Sequence, residues 1–331
     1  MTRQLRREDY TIGWVCALPE ELIAALEMLD EEHDQPEHYD NDVNVYHFGS
    51  IAGHNVVILC LPAGRIGNNP AATVPTQIRG MFRGIKFGLM VGIGGGVPSE
   101  EVDIRLGDVV VSQPNKHFGG VIQYDSNKVT LSGLERKGRL NSPPPILLSA
   151  VASVQAREFL GKSRLPTYVA KFNQIPLFRR DKAGDDVLFE AAYDHKGGYT
   201  CEKCNTNRQV ARQPRENGEE VVVHYGTIAS GNRVQRDALE RRLVSAALDG
   251  VLCFEMEAAG LMDNFPCLVI RGICDYADSH KNRVWQPYAA ATAAAYAKEL
   301  ISVISPEDIA KARTVDDVMK RSIGQYITHV V

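Results

Sequence analysis

Apolar runs of strand length alternate with helical patterns along the 331 residues of this chain, and that alternation constrains its fold most. Thr11 to Leu18 reads as a strand. Pro19 then suits a first helical position, and Leu22, Leu26 and Leu29 recur at helical spacing. Val45 to Ile51 and Val56 to Leu61 flank Gly53-His54-Asn55, which reads as a hairpin turn. Ala71 to Met81 reads as helix, Phe87 to Ile93 as a buried strand, and Asp108 to Ser112 as another. Pro143, Pro144 and Pro145 punctuate the chain before a helical pattern over Ile146 to Leu160. Val221 to Ile228, Val251 to Phe254 and Cys267 to Ile273 follow as strands, and the alanine-rich Gln286 to Ile304 as a long helix. Such alternation predicts an α/β fold of three layers, αβα, around a central, mostly parallel twisted sheet. No internal repeat is visible, and residues 1–331 read as a single domain.

Composition narrows the function classes. At 44% apolar residues the chain can bury a sizeable core. A net charge of −4 supplies no basic field to recruit nucleic acid, and no apolar run approaches a membrane span. Met1 to Asp9 is charged and lacks the apolar core of a signal peptide. Cys16, Cys60, Cys253 and Cys267 lie inside apolar strands, as buried thiols of a reducing compartment do. The expectation is a cytoplasmic protein with no nucleic-acid or membrane partner.

One stretch breaks the alternation. Ser163 to Gly218 is polar, charged and short of apolar period. It holds Cys201-Glu202-Lys203-Cys204, with His195 before it and His224 after it. A Cys-x-x-Cys pair with nearby histidines suits structural zinc through four ligands, but it equally suits free thiols or a local disulfide. The tail from Pro306 to Val331 carries one amphipathic pattern, Ile309, Val315 and Val318, and reads as a terminal helix.

The chemistry-bearing residues gather at strand ends. Phe254-Glu255-Met256-Glu257-Ala258-Ala259-Gly260 places two carboxylates where an apolar strand gives way to a small-residue helix start. A third, Asp275, ends the strand that begins at Cys267. A carboxylate is expensive to bury unpaired, and parallel sheets bind ligands at the carboxyl ends of their strands. These acids therefore read either as site-lining groups or as members of ion pairs, with Arg271 the available partner. Gly94, Gly95 and Gly96 suit close backbone approach to a ligand, or a tight turn.

Five segments in order carry a resemblance. Gly13-Trp14-Val15-Cys16-Ala17-Leu18-Pro19-Glu20-Glu21, Val91-Gly92-Ile93-Gly94-Gly95-Gly96 with Leu106-Gly107-Asp108, Ile228-Ala229-Ser230-Gly231-Asn232, Glu255-Met256-Glu257-Ala258 and Arg271-Gly272-Ile273-Cys274-Asp275 resemble the purine nucleoside phosphorylase and methylthioadenosine/S-adenosylhomocysteine nucleosidase superfamily. The match runs from about Tyr10 to Ile304, with Ser163 to Gly218 as an insertion, and is nearest the fungal nucleosidase-like branch, whose domains often head larger receptor-like proteins. The resemblance implies roles. Asp275 matches the acid that protonates or anchors the base. Glu257 matches the clamp on the ribose 2′- and 3′-hydroxyls, and Met256 the residue packed on the sugar face. Glu255 and Arg271 fall beside them, as a substrate contact or a paired support. Asn232, Arg233 and Val234 occupy the base-pocket loop, without the aromatic the nucleosidases stack on the base. Trp285 matches an aromatic capping the 5′ end of the ribose.

The same comparison bears on the nucleophile. Phosphorylases of the superfamily hold phosphate with an arginine-bearing turn after the first strand and polar residues at the central strand end. Here the turn carries Glu20 and Glu21, and the central positions carry Met90 and Ile93. An acidic pair repels phosphate, and Glu21 matches the glutamate that activates water in the nucleosidases. Arg65 is the remaining anion contact. The expected activity is hydrolysis of purine ribonucleosides (inosine, guanosine, adenosine) with no required cofactor. A phosphate-dependent phosphorylase and a non-catalytic nucleoside sensor are the alternatives. The resemblance also implies a homodimer or higher homo-oligomer.

Overall fold

The computed structural model describes residues 3–36, 44–130, 133–136, 139–198, 200–215 and 220–320. Its elements, separated by short 3-10 turns, begin with β1 (Arg3–Gln4), β2 (Ile12–Cys16), α1 (Pro19–Glu27), β3 (Glu31–Asp34), β4 (Tyr46–Ile51), β5 (His54–Cys60), α2 (Asn68–Ala71), α3 (Val74–Met81) and β6 (Phe87–Gly96). They continue with β7 (Val109–Ser112), β8 (Val121–Gln123), β9 (Asn127–Thr130), β10 (Gly133–Arg136), α4 (Pro145–Phe159), α5 (Leu165–Ala170), β11 (Val223–Gly226), β12 (Ile228–Ser230) and α6 (Ala238–Ala247). The last are β13 (Cys253–Glu255), α7 (Ala258–Met262), β14 (Cys267–Asp275), α8 (Gln286–Ser302) and α9 (Pro306–Lys311). Strands β9 and β10 form a separate antiparallel hairpin.

The other strands make one twelve-stranded sheet that forks at β6. One arm runs β1-β3-β4-β5-β2 to β6. Beyond β6 the sheet divides into β13-β12-β8 and β14-β7-β11. The ladders are parallel except β3–β4, β4–β5, β6–β13 and β7–β14. Alternate side chains feed two apolar clusters, one on each face. Trp14, Val109, Val111, Leu268 and Ile270 join helices α1, α4, α5 and α8. Val15, Val110 and Val269 join α3 and α7. The three-layer αβα arrangement follows from this period-two partition.

Helix α8 explains its own alanines. Nearly every residue from Pro287 to Ile301 is buried, as in a helix packed on all sides. A Cβ on Gly272 of β14 would overlap the Ala289 carbonyl, so glycine at this point lets helix and strand backbones touch.

Several local readings change. The β4–β5 turn is Ala52-Gly53, both at positive φ (50° and 82°), while His54 and Asn55 pair with Ile51 and Ser50. A two-residue turn with both centres at positive φ matches the twist of the strands it joins. The helix read over Ala71 to Met81 is interrupted, because Pro75 has no N–H for the Ala71 carbonyl. The strand read over Val221 to Ile228 splits at Thr227, where the chain leaves β7 for β8 and β13. Gly94–Gly96 form no turn; β6 runs through them.

The polar 163–218 stretch is more than a surface excursion. Leu165, Tyr168, Phe172 and Phe178 enter the core against α8, with the Phe172 and Phe178 rings stacked at 5.7 Å. In the tail, α9 and a helix over 315–320 bury Ile309 and Val315; residues 321–331 lie outside the described residues.

Candidate active site

The fork in the sheet positions the acids. Strand β2 pairs with β6 only as far as Val15–Met90, and β13 joins β6 at Phe254–Gly95. Within that interval Glu21, from the first turn of α1, reaches β6. Its Oε1 accepts from the Ile93 N–H at 2.8 Å, and its Oε2 accepts from the Ala17 and Leu18 N–H groups at 2.7 and 3.0 Å. Burial raises the Glu21 pKa against the opposing pull of Arg271 and the three N–H donors. A Cβ on Gly92 would overlap both Glu21 Oε1 and Arg271 Nη1, so glycine here makes room for the pair.

Arg271, fully buried on β14, organises the opposite acids. Its Nη2 donates to Glu255 and, at 3.3 Å, to Glu257 Oε2. Glu255 also accepts from the backbone N–H groups of Glu257 and Ala258, so its carboxylate holds the start of α7. The Glu255 carboxylate is thus fully engaged within the protein. Glu257 Oε1 accepts from the Gly67 N–H at 3.3 Å. Burial, with the Glu255 and Glu21 charges adding and Arg271 opposing, pushes Glu257 up to about 7. Arg271 Nε and Nη1 have no hydrogen-bond partner among the described residues.

Asp275 sits at the end of β14, against Gly95, where a Cβ would come 2.7 Å from its Oδ1. It does not pair with Arg271. Its Oδ1 accepts from the Ala277 N–H at 2.7 Å and lies 3.1 Å from Lys281 Nζ. Burial lowers the Lys281 pKa, but the charge and hydrogen bond of Asp275 together with Cys274 outweigh it, and the net shift is upward.

The loop expected to form the base pocket is built around Asn232. Its Oδ1 accepts from the Asn68 N–H at 3.0 Å, and its own N–H donates to Asp125. Met256 is half-buried at the head of α7. Arg233 and Val234, by contrast, are exposed, the guanidinium 4.0 Å from Glu240. Trp285 is packed in the core, edge-on to Tyr288 and under the Arg180 guanidinium at 4.5 Å. Arg65 is exposed on the loop that leads into Gly67.

Sequence reasoning missed Lys281, Asn68 and Tyr124. Tyr124 packs edge-on against Phe254 and lies where a Cβ on Gly231 would meet it, so an aromatic does border the loop. Only a polar residue within one turn of Asp275 could have flagged Lys281. Asn68 and Tyr124 arrive from other segments and left no local signal.

His195, Cys201 and Cys204 come together, with ligand atoms within 4.8 Å of one another, and all seven cysteines are free thiols. His224 does not join them. Its Nε2 bonds the buried Asp108 at 2.9 Å, alongside Arg215, and these partners overcome burial to hold that carboxyl below its usual range.

The chain belongs to the phosphorylase superfamily, which it matches over residues 11–304. It is 46% identical over 317 residues to a nucleotide-binding leucine-rich repeat (NLR)-like protein of Hyaloscypha variabilis, covering 94% of this chain and 31% of that protein. It is 25% identical to a death domain-containing ATP nucleosidase of Amphimedon queenslandica (83% of this chain, 44% of that one). The chain thus spans about a third to a half of these curated relatives. The fold is shared with the 5′-methylthioadenosine/S-adenosylhomocysteine nucleosidase of S. pneumoniae, at TM-score 0.56 and 18% identity over 89% of this chain and 100% of that one. Among the described residues no helix is long and apolar enough to cross a membrane.

Proposed function

We propose that the chain hydrolyses the N-glycosidic bond of purine ribonucleosides to free base and ribose. The observation that carries this reading is the convergence of Glu21 and Glu257, far apart in sequence, on the one buried Arg271. In the proposed reaction Asp275 gives a proton to purine N7 and the C1′–N9 bond breaks, its electron pair leaving with the base. Glu257 accepts hydrogen bonds from the ribose hydroxyls while its charge favours the oxocarbenium-like transition state. Water adds to C1′ and passes its proton to Glu21, whose raised pKa suits a general base. The Glu20–Glu21 pair beside this path disfavours phosphate as nucleophile.

A second reading takes a nucleoside triphosphate as substrate. It is favoured by the relative named an ATP nucleosidase and by Arg65, exposed beside the loop that holds Glu257. The test is turnover of inosine, guanosine, adenosine and ATP in phosphate-free buffer, with the sugar product identified, then repeated with phosphate. Free ribose without phosphate is expected. Ribose 1-phosphate formed only with phosphate overturns hydrolysis. Cleavage of ATP alone selects the second reading, and tight binding without cleavage makes the chain a sensor.

A further inference from the structure

The 163–218 segment closes over the strap that follows Asp275. Asp186 and Arg212 both bond the Tyr276 hydroxyl. The His195 N–H donates to Ser279 Oγ at 3.0 Å. His280 is drawn in furthest. Its side chain is 6% exposed, and its ring stacks on Phe189 at 4.1 Å and lies 5.6 Å from Tyr193. Among the described residues neither ring nitrogen has a hydrogen-bond partner, and Nδ1 has only the Asp278 carboxylate, at 3.7 Å. A buried imidazole whose Nε2 is unmet is costly and points to something that meets it.

Beside that ring stands the His195, Cys201 and Cys204 cluster. The His195 ring lies edge-on to His280, centroids 5.6 Å apart. His195 Nδ1 accepts from the Gly197 N–H, and Nε2 faces the Thr200 carbonyl, each at 3.1 Å. The Nε2–H···O=C bond fixes the tautomer that leaves a lone pair on Nδ1, as an outer-shell partner does for a metal-bound histidine. Gly197 and Gly198, both at positive φ, form the turn between His195 and the two cysteines.

We propose that Cys201, Cys204, His195 and His280 hold one zinc ion, with His195 Nδ1 exchanging the Gly197 N–H for the metal. The donor set is two sulfurs and two imidazoles, a structural zinc set. Zinc–sulfur bonds of about 2.3 Å bring ligand atoms to roughly 3.8 Å apart, so the His195, Cys201 and Cys204 cluster contracts by roughly 1 Å, and the His280 ring, which lies outside that 4.8 Å cluster, moves in to complete the set. Both cysteines bind as thiolates, and their protons leave to solvent. The site joins the insertion to the strap next to Lys281, the partner of Asp275. It would therefore fix the position of that lysine from behind. The proposal stands apart from the reaction assigned above.

The test is metal content of the whole chain, purified in reducing buffer without chelator, followed by cobalt(II) titration of the stripped protein. About one zinc per chain is expected, with a cobalt–thiolate charge-transfer band and the intense d–d bands of a tetrahedral site. Cys204→Ser should abolish both. His280→Phe keeps the ring stack and should weaken zinc binding at least about tenfold, the lower end for losing even an outer partner. His224→Gln should leave affinity unchanged. No zinc and no cobalt band in the wild-type chain overturns the site, whether or not any variant folds. Unchanged affinity in His280→Phe overturns the place of His280.

Discussion

The acid cluster beneath β6 and the insertion over the strap hold the same loop from two sides, yet they are written in the sequence differently. The cluster is made of charged residues: Glu21 and Glu257 at helix starts, Asp275 at a strand end, and Arg271 midway along β14. The part of the insertion against α8 is made of apolar and aromatic residues that act by packing, such as Phe172, Phe178 and Tyr168.

The sharpest break between the two regions comes from substitution in each. Asp275→Ala and Glu21→Gln should each lower kcat by about 10²–10⁴-fold, the usual worth of a positioned acid or base, with unfolding midpoints close to wild type. Near wild-type turnover in either variant removes its assigned role. Phe178→Ala should do the reverse. It should cost about 3–5 kcal/mol in denaturant unfolding while leaving turnover per folded molecule nearly unchanged.

A finer comparison uses pH. Because burial holds Glu257 near 7, kcat/KM should rise as pH passes through that value and the carboxylate becomes able to grip ribose hydroxyls. The stability sign is opposite. Its pKa lies above the unfolded value of about 4.3, so the folded chain keeps a proton that the unfolded chain releases. This contribution is full below about pH 4.3 and is lost as pH rises to about 7. Denaturant melts across that window should show the loss in wild type and its absence in Glu257→Gln. The smallest effect is expected at Arg233. Its exposure predicts a change of about twofold or less in KM for a neutral nucleoside on Arg233→Ala. A tenfold rise confined to ATP would instead draw this loop into the triphosphate reading.

Much of the fold was legible because strands buried on both faces are near-continuous apolar runs, as β6 and β14 are. The acids were legible because they follow those runs directly. What remained hidden depends on meetings between distant segments. The sequence leaves Glu255 open between a substrate contact and a partner for Arg271, and the meeting with Arg271 and the Ala258 N–H shows the pairing. Lys281 acquires its meaning from the turn after β14, and His224 is claimed by Asp108 through a pairing of β11 with β7 that spacing could not foretell. The motif spacing placed Cys201, Cys204 and His195 near one another, as they are, but the nearness of the His280 ring to His195 comes from a distant segment that spacing does not reach.

The arrangement around Arg271 carries a further consequence in protons. Glu21, Glu255 and Glu257 share one guanidinium, so carboxylates outnumber the cation in a buried space. Glu257 resolves the excess by holding a proton for much of its time near neutral pH. A ligand that brings positive charge, such as a ribose-mimicking iminium, takes over that proton's role and releases it to the buffer. Its binding enthalpy should then track the ionisation enthalpy of the buffer, as proton release on binding requires.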